Sequence, residues 1–330
     1  MRPNVEFIDT QDDERVVSRV AAIDIAKATG KVCTRVPHPS IPGRRITKVW
    51  DVAATTNAIV SLAEELAGEG IERVVVESTS DYWRPFVYLF QAAGLTTWLV
   101  NARETKQVPG RPKTDNLDAV WLAKLNERSM LRPSFVPPVE IRQLRDCTRL
   151  RSDLTEEQSR HKQRMEKLLE DALIKLSIVA TDIFGVSGRE MIEALIAGER
   201  DPQVLARMAR GRMRAKHPAL VQALTGRFDA HHAELARMLL HQVDTLSADI
   251  DALTTRIADL IATIPASAAP PPTNQGDGPT PLGVIERLDE VPGLGERAAQ
   301  IIIAEIGLNM TQFPTPAHLV SWAKLSPRTI

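Results

Sequence analysis

Over the first 130 residues the apolar positions switch repeatedly between short strand-like runs and helical spacing. RVAAIDIA (19–26) is an apolar run rich in β-branched residues. The turn-like KATGK (27–31) and a second run, VCTRV (32–36), follow it, a pattern that predicts a β-hairpin. TNAIVSLAEELAGEG (56–70) has apolar residues at helical spacing and closes on a glycine. IERVVVE (71–77) reads as a buried strand and LTTWLVNA (95–102) as another, with a helix at 82–93 between them. DNLDAVWLAKLNER (115–128) reads as a helix, with Thr114 placed to cap it. Strands interleaved with helices imply a mixed α/β sheet covered on both faces.

After PSFVPP (133–138) the strand signal disappears and an all-α pattern takes over. Residues 139–176 form one long helical pattern with a charged middle. In 235–264, Leu239, Val243, Leu246, Ile250, Leu253, Ile257, Leu260 and Ile264 step alternately by four and three. That a/d spacing predicts a coiled-coil seam. Its partner is expected to be the same seam of a second copy, giving a homodimer or higher homo-oligomer; an intramolecular hairpin with 139–176 is the alternative. PASAAPPPTNQGDGPTP (265–281) cannot build a core and reads as a linker. The expected division is therefore a catalytic domain over 1–132, a helical and coiled-coil region over 133–264, the linker, and a partial helical module over 282–330.

Composition narrows the class without naming a function. At 330 residues, 43% hydrophobic and 25% charged, the chain fits a globular protein of two or three domains. It carries no apolar signal core at the N-terminus and no run long enough to span a membrane, which predicts a cytoplasmic protein. Cys33 and Cys147 are far apart, arguing against a disulfide framework or a zinc site. The adjacent pair His231–His232 falls in a helical run and reads as two surface residues. Net charge is −1, but basic residues prevail between Arg103 and Arg227, in GRPK (110–113), RLRS (149–152) and RGRMRAK (210–216). That distribution favours a polyanionic partner.

Four carboxylates carry the candidate chemistry. Asp24 sits in the middle of an apolar strand, where a carboxylate needs partners or a metal. Glu77 stands at the C-terminal end of another strand, where open α/β sheets place their sites. Asp115 and Asp118 fall at i and i+3 in the first turn of a helix, about 5–6 Å apart at Cβ. Helix capping is the simpler use of that pair. Acids drawn from two strands and one helix, with GRPK just before the pair, instead resemble a cage for Mg²⁺ or Mn²⁺. Two such ions about 4 Å apart would clamp the attacking and leaving oxygens of a phosphodiester. Arg111 and Lys113 would then lie near a phosphate backbone.

The strings ESTSDYW (77–83), LVNARETK (99–106), GRPKTDNLDAVWLAKL (110–125) and SFVP (134–137), in this order, resemble the transposases of the insertion-sequence family numbered one hundred and ten, and the related pilin-gene invertases. VPGLGERAAQIIIAEIG (291–307) is similar to the signature of that family's second transposase domain and to a helix-hairpin-helix element. In such an element the backbone at Gly293 and Gly295 could approach a phosphate. The resemblance implies an RNase H-like (RuvC-like) domain with an Asp-Glu-Asp-Asp site at Asp24, Glu77, Asp115 and Asp118. It also implies excision and insertion of a mobile element, with DNA at element ends and target bridged by a guide RNA from that element. Members often carry glycine at the position of Ser80–Asp81.

The resemblance further implies a nucleophilic serine a few residues beyond Ser326–Pro327, so no nucleophile is assigned within 1–330. The chain alone is therefore expected to bind nucleic acid, in the nucleoid, without forming a covalent adduct. A RuvC-like structure-specific endonuclease and a non-catalytic DNA- and RNA-binding dimer are the competing readings.

Overall fold

The computed structural model describes residues 17–42, 44–78, 80–101, 115–264 and 282–325, without the side chains of 78 and 115–117. The expected linker, Thr114, Arg111, Lys113 and Ser326 lie outside the described residues. The chain divides into two compact units, Met1–Val136 and Pro137–Ile330.

The first unit is built on five strands: β1 (Val20–Ile25), β2 (Thr29–Pro37), β3 (Arg45–Ala53), β4 (Arg73–Ser78) and β5 (Thr97–Asn101). Their order across the sheet is β3-β2-β1-β4-β5. β1, β2 and β3 pair antiparallel, whereas β4 and β5 join β1 in parallel. Parallel neighbours need crossovers, supplied by helices α1 (Thr56–Gly68) and α2 (Trp83–Ala92), with α3 (Asp115–Glu127) following β5. This mixed sheet with helical cover is the RNase H-like arrangement.

Strand alternation sends the two faces to different helices. Ala21, Ile23, Ile25, Val32, Val74, Val76 and Leu99 pack under α1 and α2, against Ile59, Leu62, Leu66, Phe86 and Phe90. Ala22, Cys33, Val75 and Val100 face α3 through Ala119, Leu122 and Ala123. Strand β3 was not foreseen. It is an edge strand whose alternate residues are exposed, so no apolar run marks it.

The second unit is all-α. Helix α4 (Val139–Asp171) is followed by α5 (Leu176–Val179), α6 (Val186–Ala197), α7 (Pro202–Arg207), α8 (His217–Ala223) and α9 (Ala230–Thr263). Beyond the linker come α10 (Val284–Asp289), α11 (Glu296–Ile306) and α12 (Pro316–Trp322). The helix expected to run to 176 stops at Asp171, because the chain reverses at Leu173 with a φ of 60°. No glycine or proline announces that turn.

Helices α4 and α9 form an antiparallel hairpin, and the heptad seam lies inside it. Val243, Leu246, Ile250, Ile257 and Leu260 are all buried within the single chain. The seam expected to meet a second copy is thus taken up by α4, and self-association through it does not follow. Leu246→Ala is expected to cost about 3 kcal/mol of stability by leaving a cavity. Its mass in light scattering should stay unchanged; a fall in mass would place the seam between copies instead.

The histidine pair also divides. His231 is exposed, but His232 is buried and closes a capping box with Asp229 at the start of α9. Its Nε2 lies 3.1 Å from Asp171 at the end of α4, tying the two long helices together. The backbone and ring of His232 hold the Asp229 carboxyl below its ordinary range.

Candidate active site

The register of the sheet places five residues side by side on the α3 face: Asp51, Lys31, Asp24, Glu77 and Val100, one from each strand. Asp24 and Glu77 are direct neighbours on parallel strands, whose backbones run about 4.8 Å apart. Glu77 is 4% exposed and Asp24 half-buried. Lys31 flanks Asp24 on the other side and is held by Asp51 at 2.5 Å. Neither Lys31 nor Asp51 was anticipated; the unread strand β3 hid the rung they belong to.

Helix α3 is fixed at its far end. Asn126 Nδ2 donates to the carbonyls of Ala21 (3.0 Å) and Arg73 (3.2 Å), and its Oδ1 accepts from Arg73 Nε at 2.6 Å. Glu127 accepts from Arg35 Nε at 2.7 Å and Arg45 Nε at 2.8 Å. From Asn126 back to Asp118 the helix rises about 12 Å, and from Ala21 to Asp24 the strand advances about 10 Å. The anchor therefore brings the start of α3 level with the Asp24–Glu77 rung. Asp118 is half-buried there, and the side chain of Asp115 lies outside the described residues.

Among the described residues no three His, Cys, Asp or Glu side chains lie close enough to share an ion. The sheet thus pairs Asp24 with Glu77, and Asp118 stands on the facing helix without joining them in one cluster. The donor chemistry nonetheless fits a hard divalent cation. Two adjacent carboxylates, one almost stripped of water, are stabilised by positive charge, and oxygen donors of this kind favour Mg²⁺ or Mn²⁺. Just after β4, Ser80 adopts a left-handed φ of 51°, a conformation glycine reaches at least cost.

In the second unit, Gly293 has a φ of 90° in the turn between α10 and α11, and Gly295 caps α11. A cleft of about 680 Å³ beside them is lined by Glu286, Asp289 and Glu296.

Two family models match the chain. One, a DEDD-type model described as a transposase, covers residues 21–174; the other, described as the transposase IS116/IS110/IS902 family, covers 285–330. A comparison with curated proteins returns no match. Among solved structures, Thermus thermophilus RuvC overlaps with a TM-score of 0.28 at 13% identity, covering 35% of this chain and 99% of that one. T. thermophilus RuvC in complex with a Holliday junction substrate gives 0.27 at 12%, with coverage of 36% and 99%. An Aquifex aeolicus member of the Ppx/GppA family gives 0.23 at 12%, with coverage of 68% and 98%. Among the described residues no helix is long and apolar enough to cross a membrane. The two family matches lie in the expected order along the sequence, the first running through the sheet unit into the helical one and the second ending the helical one: the chain belongs to the IS110 family of transposases.

Proposed function

We propose that this transposase excises and inserts a mobile element by metal-assisted phosphodiester transfer, with Asp24, Glu77, Asp118 and Asp115 as the acidic site. The observation that carries the reading is the Asp24–Glu77 pair, two carboxylates on one rung beneath the start of a helix bearing two more. The DEDD character of the matched family supports the set of four. Asp24 and Glu77 would hold Mg²⁺ or Mn²⁺ from the rigid side, and Asp118 and Asp115 would approach from α3. When bound, the ion would supply charge stabilisation to the phosphate and ease departure of the leaving oxygen.

The protein's own groups do the positioning. Asn126 and Glu127 fix the height and direction of α3, so its first turn is aimed at the rung. Lys31, tied to Asp51, keeps a cation one strand from Asp24. An RNA from the element would bridge donor and target DNA and so supply sequence choice, while Arg111, Lys113, Gly293 and Gly295 would touch the phosphate backbone. In the fuller reading, a serine beyond Ser326–Pro327 makes the covalent link to DNA.

The test uses protein made from the element's intact reading frame, incubated with its transcript, both DNA partners and Mg²⁺. Joined DNA products are expected, lost when EDTA replaces Mg²⁺ and reduced to background without the transcript. Products that persist in EDTA would overturn the metal-assisted reading, and equal yield without the transcript would overturn guidance by RNA.

A further inference from the structure

From Pro202 to Phe228 the chain carries six Arg and Lys residues and no Asp or Glu, in a protein whose net charge is −1. Four of the six fall on alternate residues, Arg210, Arg212, Arg214 and Lys216, through an exposed 3-10 turn at Gly211–Lys216. The stretch belongs to 175–284, which neither family model covers.

The setting of these cations separates them from an ordinary solvated face. Several arginines elsewhere in the chain are matched: Arg35 and Arg45 to Glu127, Arg149 to Glu305, Arg189 to Asp244 and Glu193. Among the described residues, Arg207, Arg212, Arg214 and Lys216 pair with no carboxylate; Arg214 and Lys216 bond the backbone carbonyls of Ala209 and Val179. Arg207, Arg210 and Arg214 line a cleft of about 580 Å³, and Arg210 and Arg212 line a second of about 460 Å³, so Arg210 stands at both.

The acids that line these two clefts are already engaged. Glu190 binds Arg210, Glu193 binds Arg189 at 2.5 Å, and Asp182 accepts from the Phe184 amide at 2.9 Å. The second cleft is also bordered by the first residues of α6, whose opening amides have no partner within their helix. Three like charges on one turn, Arg212, Arg214 and Lys216, repel one another, and a polyanion relieves that repulsion.

We infer that Arg207, Arg212, Arg214 and Lys216 form a second nucleic-acid surface, which grips the phosphate backbone of duplex DNA without reading its sequence. Duplex DNA is the choice because a transposase must hold DNA flanking the site it acts on. The inference rests on the reading of this protein as acting on DNA, but not on the acidic site.

The test is fluorescence anisotropy of a labelled duplex of arbitrary sequence, titrated with the full chain in EDTA over a range of KCl. Arg212→Gln/Arg214→Gln is compared with Arg237→Gln/Arg256→Gln, the same charge change placed on α9. The first pair is expected to weaken binding about tenfold or more near 0.1 M salt, and to reduce the log–log salt slope by about two. The second pair should leave the slope unchanged, and circular dichroism melting should be the same for both. Equal slopes, or no measurable duplex binding by the wild type at low salt, would overturn the inference. A hairpin RNA whose binding depends on Arg212 and Arg214 while the duplex does not would also overturn it, in favour of RNA. Because EDTA silences any ion at Asp24 and Glu77, failure here leaves the acidic-site reading standing.

Discussion

Glu77→Gln is expected to abolish excision of the element in cells, by a factor on the order of 10³. The substitution keeps the shape of a side chain that is 4% exposed and removes only its charge. A fold that tolerated the charge should therefore tolerate the amide, and any loss reports on chemistry. Asp24→Asn, on the same rung, is expected to match it. Asp51→Asn provides the control: it is an acid of the same rung, but lies on the edge strand and is paired with Lys31. Its effect should stay below about tenfold, since an exposed pair contributes little. Excision by Glu77→Gln within a few-fold of wild type, with the protein folded, would remove Glu77 from the active site.

The second large effect concerns the anchor rather than the acids. Glu127→Ala is expected to destabilise the protein by about 3 kcal/mol, because it leaves Arg35 and Arg45 with their shared partner gone in a mostly buried setting. By calorimetry on the full chain this corresponds to a lower thermal midpoint, by roughly 10 °C for the unit concerned. The pH dependence has a defined sign. Burial works to raise the Glu127 carboxyl, but the hydrogen bonds and charges of Arg35 and Arg45 outweigh it, so its pKa is lowered on folding. A depressed carboxyl contributes stability above its unfolded pKa, near 4.3, that is lost as pH falls through the lower folded value. Wild type should therefore lose part of its stability in that acidic window, and Glu127→Gln should lack that part of the dependence. Identical profiles would show that α3 is held by Asn126 and apolar packing alone.

How much of this could be read from the chain depends on which physical signal each element carried. The hairpin of β1 and β2, the buried strands β4 and β5 and their crossover helices are written in apolar periodicity, and the structure has them within a few residues. Strand β3 has only one half-buried face, so its weak alternation hid both the strand and the charged rung through Asp51 and Lys31. The α4–α9 seam was visible as heptads, but heptads state that a partner exists, not which molecule supplies it. The buried place of His232 is not legible locally, because its partner Asp171 comes from a helix distant in sequence. Asp24 could be singled out as a costly carboxylate in an apolar strand and Glu77 by its place at a strand end; their adjacency is a matter of register, which no local pattern in the sequence fixes.

The central claim is that Asp24 and Glu77 hold a divalent ion, and the measurement closest to it is binding of Mn²⁺ followed by electron paramagnetic resonance, which needs neither DNA nor turnover. The wild-type chain is expected to take up Mn²⁺, and added Mg²⁺ to compete it away. Asp24→Asn/Glu77→Gln should bind at least about tenfold more weakly, as loss of ligand charge requires. Mn²⁺ bound equally by wild type and the double variant would show that Asp24 and Glu77 do not hold the ion and place it elsewhere.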